Sequence, residues 1–137
     1  MAEVFRTTRR MEFRDTDAAG IVHFSQFFVF MEQAEHAFWR TLGLSVVFAD
    51  QGREISWPRV SAKCDYRSPL RFEDEVSISM SIARVGTKSV TFAFRFQLAD
   101  REVAAGELSV VCCEVTASGK PVSIPIPDWL RQKLQPA

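Results

Sequence analysis

The chain is poor in the residues that would announce disulfide or metal chemistry. Cysteine occurs three times in 137 residues, twice as the neighbours Cys112 and Cys113, and such a set makes a poor disulfide framework. A reduced setting is therefore expected. Neither the cysteines nor the two histidines, His23 and His36, stand at the spacing of a Cys-x-x-Cys or His-x-x-x-His pair, so no metal ligand set is expected. Charge of neither sign prevails, because 17 Lys and Arg balance 17 Asp and Glu. That balance argues against a general nucleic-acid or membrane-surface binder, although it leaves room for a local basic patch. No apolar run approaches the roughly 20 residues that span a bilayer. Met1-Ala2-Glu3-Val4 lacks the basic-then-apolar pattern of a signal segment. A cytoplasmic protein is the expectation. Internal repeats, linkers and low-complexity stretches are lacking as well.

What is present is ordinary globular composition, with 47% hydrophobic and 25% charged residues, and a length that suits one domain over residues 1–137. The stretch from Arg14 to Leu44 organises the rest. A polar turn, Arg14-Asp15-Thr16-Asp17-Ala18-Ala19-Gly20, leads through Ile21-Val22-His23 into an apolar segment. Phe24, Phe27, Phe28, Met31, Phe38 and Leu42 recur in steps of three and four, which marks a helix, and Gly43 suits its terminator. Val29 and Phe30 fill the other side of the first turns, so the helix needs cover on more than one face. Glu32, His36 and Arg40 share one i, i+4 line that can hold a weak surface ion pair.

Val4 to Arg14 reads as a first strand, and Ser45 to Trp57 as a loop with a short helical piece. Arg59 to Tyr66 has a two-residue period with Val60, Ala62, Cys64 and Tyr66 on one face. Glu75 to Ala83 alternates with apolar residues at even positions, Ser89 to Leu98 with Val90, Phe92, Phe94 and Phe96 on one side, and Glu102 to Val115 reads as one long strand. The turns between these runs are short enough for antiparallel hairpins. The tail is extended to Pro127, and Asp128 is placed to cap a short final helix. The inventory fits an α+β fold, a five-stranded antiparallel sheet curled around one long helix. A sheet this small leaves edges uncovered, which homodimerisation would remedy.

Phe13-Arg14-Asp15-Thr16-Asp17-Ala18-Ala19-Gly20-Ile21-Val22 followed by an aromatic-rich helix resembles the active-site segment of the hotdog-fold acyl-CoA thioesterases, nearest the 4-hydroxybenzoyl-CoA thioesterase-like branch. Arg40 to Ser45 resembles that branch's helix end. Val60 to Asp74, with its tyrosine, proline and acidic residue, resembles its second-strand segment. The resemblance covers most of the chain. It implies the hotdog fold, hydrolysis of a small or aromatic acyl-CoA to free acid and CoA, no cofactor beyond the CoA of the substrate, and a homodimer or homotetramer.

The resemblance further implies that Asp17 is the catalytic carboxylate, nucleophile or general base, with the backbone N–H of Phe24 or a neighbour as oxyanion donor. The physical need is plain: an acyl thioester requires a nucleophile and a donor where charge accumulates, and a helix N-terminus offers free N–H groups. On residue type alone Asp15 and Asp17 also read as turn formers, and Asp15 is taken as structural. Relatives carry an aromatic residue where His23 stands, so His23 could bond the acyl group, assist Asp17, or cap the helix. Gly20, Ser25, Phe28 and Tyr66 are the expected substrate contacts. For the CoA phosphates, Arg84 and Lys88 occupy the turn that relatives use, with Arg59, Lys63, Arg67 and Arg71 further candidates, although each singly also reads as solvated surface. The cysteines read as small hydrophobes. Two alternatives stay open: a 3-hydroxyacyl thioester dehydratase using His23 with Glu32 or Glu35, and a non-catalytic acyl-CoA-binding module.

Overall fold

The computed structural model describes residues 2–134. Its strands are β1 (Glu3–Arg10), β2 (Phe48–Asp50), β3 (Arg53–Ser56), β4 (Arg59–Tyr66), β5 (Glu75–Val85), β6 (Ser89–Leu98), β7 (Arg101–Val111), β8 (Cys113–Val115) and β9 (Pro121–Ser123). The helices are α1 (Gln26–Thr41) and α2 (Asp128–Leu134), with a 3-10 turn at Phe13–Asp15.

The five expected strands form one antiparallel sheet in the order β1-β5-β6-β7-β4. Alternation placed its faces correctly. Val76, Ile78, Met80 and Ile82 of β5 and Val90, Phe92, Phe94 and Phe96 of β6 are all buried. α1 lies along this apolar face. The Phe27 ring meets Phe96 edge-on at 5.3 Å, and Phe38 and Trp39 meet Phe92 at 6.1 and 6.2 Å. Met31 passes so close to β7 that a Cβ at Gly106 would sit 2.6 Å from its sulfur. A side chain there would have to displace the end of Met31 and would press on the Lys63 carbonyl, 3.0 Å away. At the far end Gly43 adopts φ 76°, and the amides of Gly43 and Leu44 donate to Arg40 and Trp39 carbonyls, both at 3.0 Å. This is a Schellman ending, which requires a left-handed residue at that place.

Four expectations are corrected. Ser45 to Trp57 is not a loop with a helical piece: β2 and β3 form a hairpin that joins β8 and β9 in a second sheet, order β2-β3-β8-β9. Strands of three and four residues are too short to show a period, and their partner β8 is remote in sequence. Glu102 to Val115 is not one strand. Cys112 interrupts it, its N–H donating to Lys88 (2.7 Å) and its carbonyl accepting from Ile124 (2.9 Å), so the chain passes from the large sheet to the small one. Asp128 does not cap the final helix but lies in its first turn, where Pro127 carbonyl accepts from the amides of Leu130 and Arg131.

The fourth correction concerns polar groups on α1. Glu32 does not pair along the helix; it pairs with Arg59 on β4 at 3.1 Å. Glu35 is fully buried. It accepts hydrogen bonds from Trp39 Nε1 at 2.9 Å and from both terminal nitrogens of Arg59. The sheet face named for β4 is also less covered than its period suggested, with Val60 62% and Tyr66 46% exposed. β4 is an edge strand, and its far side has no strand partner to bring further cover.

Candidate active site

The acidic turn is a tight loop closed by an isolated bridge between Thr16 and Val22. Asp17 N–H donates to Ile21 carbonyl (2.8 Å), and Gly20 N–H to Asp17 carbonyl (3.0 Å). Gly20 takes φ 79° there, a conformation other side chains rarely adopt. The Asp17 carboxylate accepts the Ala19 N–H on Oδ1 at 2.8 Å. That single bond fixes its orientation and leaves Oδ2 free of any bond within the loop. Asp15 behaves differently: it is 2% exposed, accepts the Glu12 N–H at 2.8 Å, and lies 4.0 Å from Arg9. It is a structural residue of the turn.

After the loop, Val22 N–H donates to Leu70 carbonyl at 2.8 Å. This bond ties the acidic turn to the segment that follows β4. Between them opens a cleft of about 450 Å³ whose walls include Asp17, Ile21, Phe24, Phe27, Tyr66 and Leu70, together with Val22, Arg67, Ser68 and Pro69. Tyr66 hydroxyl donates to Phe24 carbonyl at 2.8 Å, and the Phe27 ring supports Tyr66 edge-on at 5.2 Å. Desolvation, with the nearby Cys64 thiol, raises the Tyr66 hydroxyl above its ordinary pKa, so it stays a donor. At the helix entrance the amides of His23, Ser25 and Gln26 donate to Asp15 carbonyl, His23 Nδ1 and His23 carbonyl. The Phe24 amide takes no part in this set. A carboxylate, an apolar wall and a helix entrance thus share one cleft, an arrangement suited to attack on an activated acyl group.

The model of the thioesterase-like superfamily matches residues 11–134. The chain belongs to that family. Its enzymes of this type are the hotdog-fold acyl-CoA thioesterases, and this enzyme is a thioester hydrolase. Among curated relatives it is 29% identical over 130 residues to the 1,4-dihydroxy-2-naphthoyl-CoA hydrolase of Synechococcus elongatus, covering 93% of this chain and 95% of the relative. Among solved structures it is similar to a gentisyl-coenzyme A thioesterase, at 30% identity and TM-score 0.79 over 93% of this chain and 99% of the other. It shares its fold with a 1,4-dihydroxy-2-naphthoyl-CoA thioesterase from Synechocystis, at 22% identity and TM-score 0.80 over 95% and 94% of the two chains.

Of the thioesterase residues named from sequence, the cleft brings together Asp17, Phe24 and Tyr66. His23 stands beside it. Its Nδ1 lies 2.7 Å from Ser25 Oγ and accepts the Ser25 N–H at 3.2 Å, and its ring stacks on Phe24 at 4.6 Å. These bonds lie within the turn before α1, whose N-cap is Ser25 and which has no side-chain cap bond. Gly20, Ser25 and Phe28 lie outside the cleft lining: Gly20 shapes the turn, and Ser25 is held by His23. The walls supplied by Ile21, Val22, Pro69 and Leu70 were missed, since a single apolar side chain carries no signal of its own.

Of the basic residues, Arg67 lines the cleft and pairs with Glu102 at 2.9 Å, while Arg84, Lys88 and Arg59 lie elsewhere. Tyr66 pairs with Ala104, which pairs with Phe96, so the cleft sits at the Phe96 end of β6, eight residues from Lys88. At about 3.3 Å per residue, Lys88 lies roughly 25 Å away along the sheet and Arg84, which pairs with Thr91, roughly 17 Å. Arg59 is committed to Glu35, Glu32 and the Trp57 carbonyl. Glu32 and Glu35, the carboxylates a dehydratase would use with His23, are both bonded to Arg59 of β4. Burial pushes the thiols of Cys64 and Cys112 up to about 11, which removes them as nucleophiles near neutral pH. Among the described residues no three of His, Cys, Asp or Glu gather as a metal would need, and no helix is long and apolar enough to cross a membrane.

Proposed function

We propose that this enzyme hydrolyses a small or aromatic acyl-CoA to the free acid and coenzyme A, with Asp17 as the catalytic carboxylate. The observation that carries the reading is the meeting of Asp17, Phe24 and an apolar wall in one cleft. Ile21, Val22, Phe27 and Leu70 suit a ring, and the relatives act on hydroxylated aromatic thioesters by name. In the general-base route Asp17 takes a proton from water as the water oxygen bonds to the thioester carbon. Carbonyl charge collects opposite the Phe24 N–H, a donor worth about 3–4 kcal/mol in the transition state. The C–S bond then breaks, the carbonyl re-forms, and the proton passes to the CoA sulfur. In the nucleophilic route Asp17 itself bonds to that carbon and expels the thiolate, and water opens the resulting anhydride. Turnover in ¹⁸O-water separates the two, since only the second can place label in Asp17.

The same reading makes the chain one hotdog domain, its sheet wrapped around α1 as the central helix, and a cytoplasmic homodimer or dimer of dimers. The exposed Val60 and Tyr66 on edge strand β4 favour pairing with a second copy. Arg84 and Lys88, remote from their own cleft, would then meet the CoA phosphates at a neighbour's site. No metal, nucleic acid or membrane is required by this chemistry.

Thiol release from short-chain, long-chain, benzoyl, hydroxybenzoyl and naphthoyl-CoA tests the proposal, with wild type and Asp17→Asn side by side. An aromatic thioester should turn over best, and Asp17→Asn should lose at least about a hundredfold in kcat, in line with loss of a general base. Full activity in Asp17→Asn refutes the mechanism. Hydration of a crotonyl thioester without thiol release would select the dehydratase, and tight CoA binding without turnover the silent binder.

A further inference from the structure

A carbonyl at residue 24 would ordinarily accept the N–H of residue 28 if α1 began there. It does not. Phe28 N–H donates to Ser25 carbonyl at 3.2 Å, and the helix starts at Gln26. The Phe24 carbonyl is thereby left outside the backbone ladder. The group that satisfies it comes from 42 residues away, the Tyr66 hydroxyl at 2.8 Å. Tyr66 in turn is held by the edge of the buried Phe27 ring, and Phe27 by Phe96 of the central sheet. A rigid line of side chains thus runs from the sheet to the one peptide at the helix entrance that regular structure does not fix.

We infer that Tyr66 is a positioning residue: its hydroxyl holds the Phe24 backbone so that the Phe24 N–H is presented to the thioester oxygen. This rests on the reading of the Phe24 amide as oxyanion donor. Two soft torsions separate the Phe24 N–H from the Phe24 carbonyl. Fixing the carbonyl against the strand restrains both, and the donor is then pre-oriented when charge develops rather than being ordered at that moment. An oxyanion donor acts on the transition state more than on the bound substrate, so its loosening should appear in kcat. A tyrosine that only lined the acyl pocket would instead appear in KM. The two roles are separable because the hydroxyl, not the ring, makes the bond.

The test is Tyr66→Phe, which keeps the ring and deletes the donor, measured on the best acyl-CoA beside wild type and Asp17→Asn. The expected result is a fall in kcat of about tenfold, about 1.4 kcal/mol, with KM and the Kd of a non-hydrolysable thioether analogue within about twofold. The carbonyl ¹³C resonance of Phe24 should move upfield as the hydrogen bond is lost, a readout independent of turnover. A raised KM with unchanged kcat overturns the inference and makes Tyr66 a pocket wall. Unchanged kinetics, or an unmoved Phe24 carbonyl resonance, also overturns it. If Asp17→Asn is inactive while Tyr66→Phe is normal, only the positioning role fails. If Asp17→Asn is active, the proposed mechanism fails first.

Discussion

Arg59 offers the sharpest perturbation of this fold. Its guanidinium bonds both carboxylate oxygens of Glu35, a residue with no exposed surface, while its own side chain is 26% exposed. Burial opposes the Arg59 charge, yet the bonds and charge of Glu35 and Glu32 outweigh it and raise its pKa. Replacing Arg59 by Met leaves Glu35 with Trp39 Nε1 as its remaining donor. Breaking a buried pair from one side costs about 3–5 kcal/mol, because a charge stays buried without its partner. Water can reach the vacated site through the exposed part of Arg59, so the lower end applies, about 3 kcal/mol. For a chain of this size that lowers Tm by about 12 °C. Arg59→Met with Glu35→Gln should recover more than half of the loss, since a neutral amide still accepts from Trp39. Glu32, 51% exposed in the same pair, should cost under about 1 kcal/mol on replacement by Ala. The assay is thermal and urea unfolding of the four proteins at one protein concentration. An Arg59→Met loss below about 1 kcal/mol, or a double variant no more stable than the single, refutes the reasoning.

Two further outcomes are expected. Gly106→Ala should destabilise by about 1–3 kcal/mol in urea unfolding, because the new Cβ meets Met31 Sδ at 2.6 Å and the Lys63 carbonyl at 3.0 Å; a neutral result would mean that the end of Met31 turns aside at no cost. Cys112 should resist alkylation in the native protein at pH 8, since a thiol at about 11 rather than 9.0 has a thiolate fraction about a hundredfold smaller. Native-state iodoacetamide labelling read by mass spectrometry checks this. Rapid modification of Cys112 before unfolding would contradict its burial.

Residues that specify local geometry could be read directly from the chain. Alternation fixed which faces of β5 and β6 are buried, because a strand repeats every two residues and one slip would turn Phe92, Phe94 and Phe96 to solvent. Gly43 announced the end of α1 because only a residue tolerant of positive φ closes a helix that way. The motif around Asp17 was legible for the same reason: the Asp-Thr-Asp-Ala-Ala-Gly turn is a contiguous structure, and the backbone bonds that close it, up to His23 N–H on Asp15 carbonyl, run between residues at most eight apart. Tertiary structure alone decided the pairings that join distant segments. The small sheet needed β3 to find β8, and strands of three or four residues carry no period to signal it. Glu35 looked like any helical glutamate until Arg59, 24 positions on, came to lie over it. The cleft followed the same rule. Asp17 was visible in its turn, but its wall at Leu70 and the hold of Tyr66 on Phe24 exist only because β4 returns along the helix entrance, a contact set by packing across the sheet and not by any local preference of the chain.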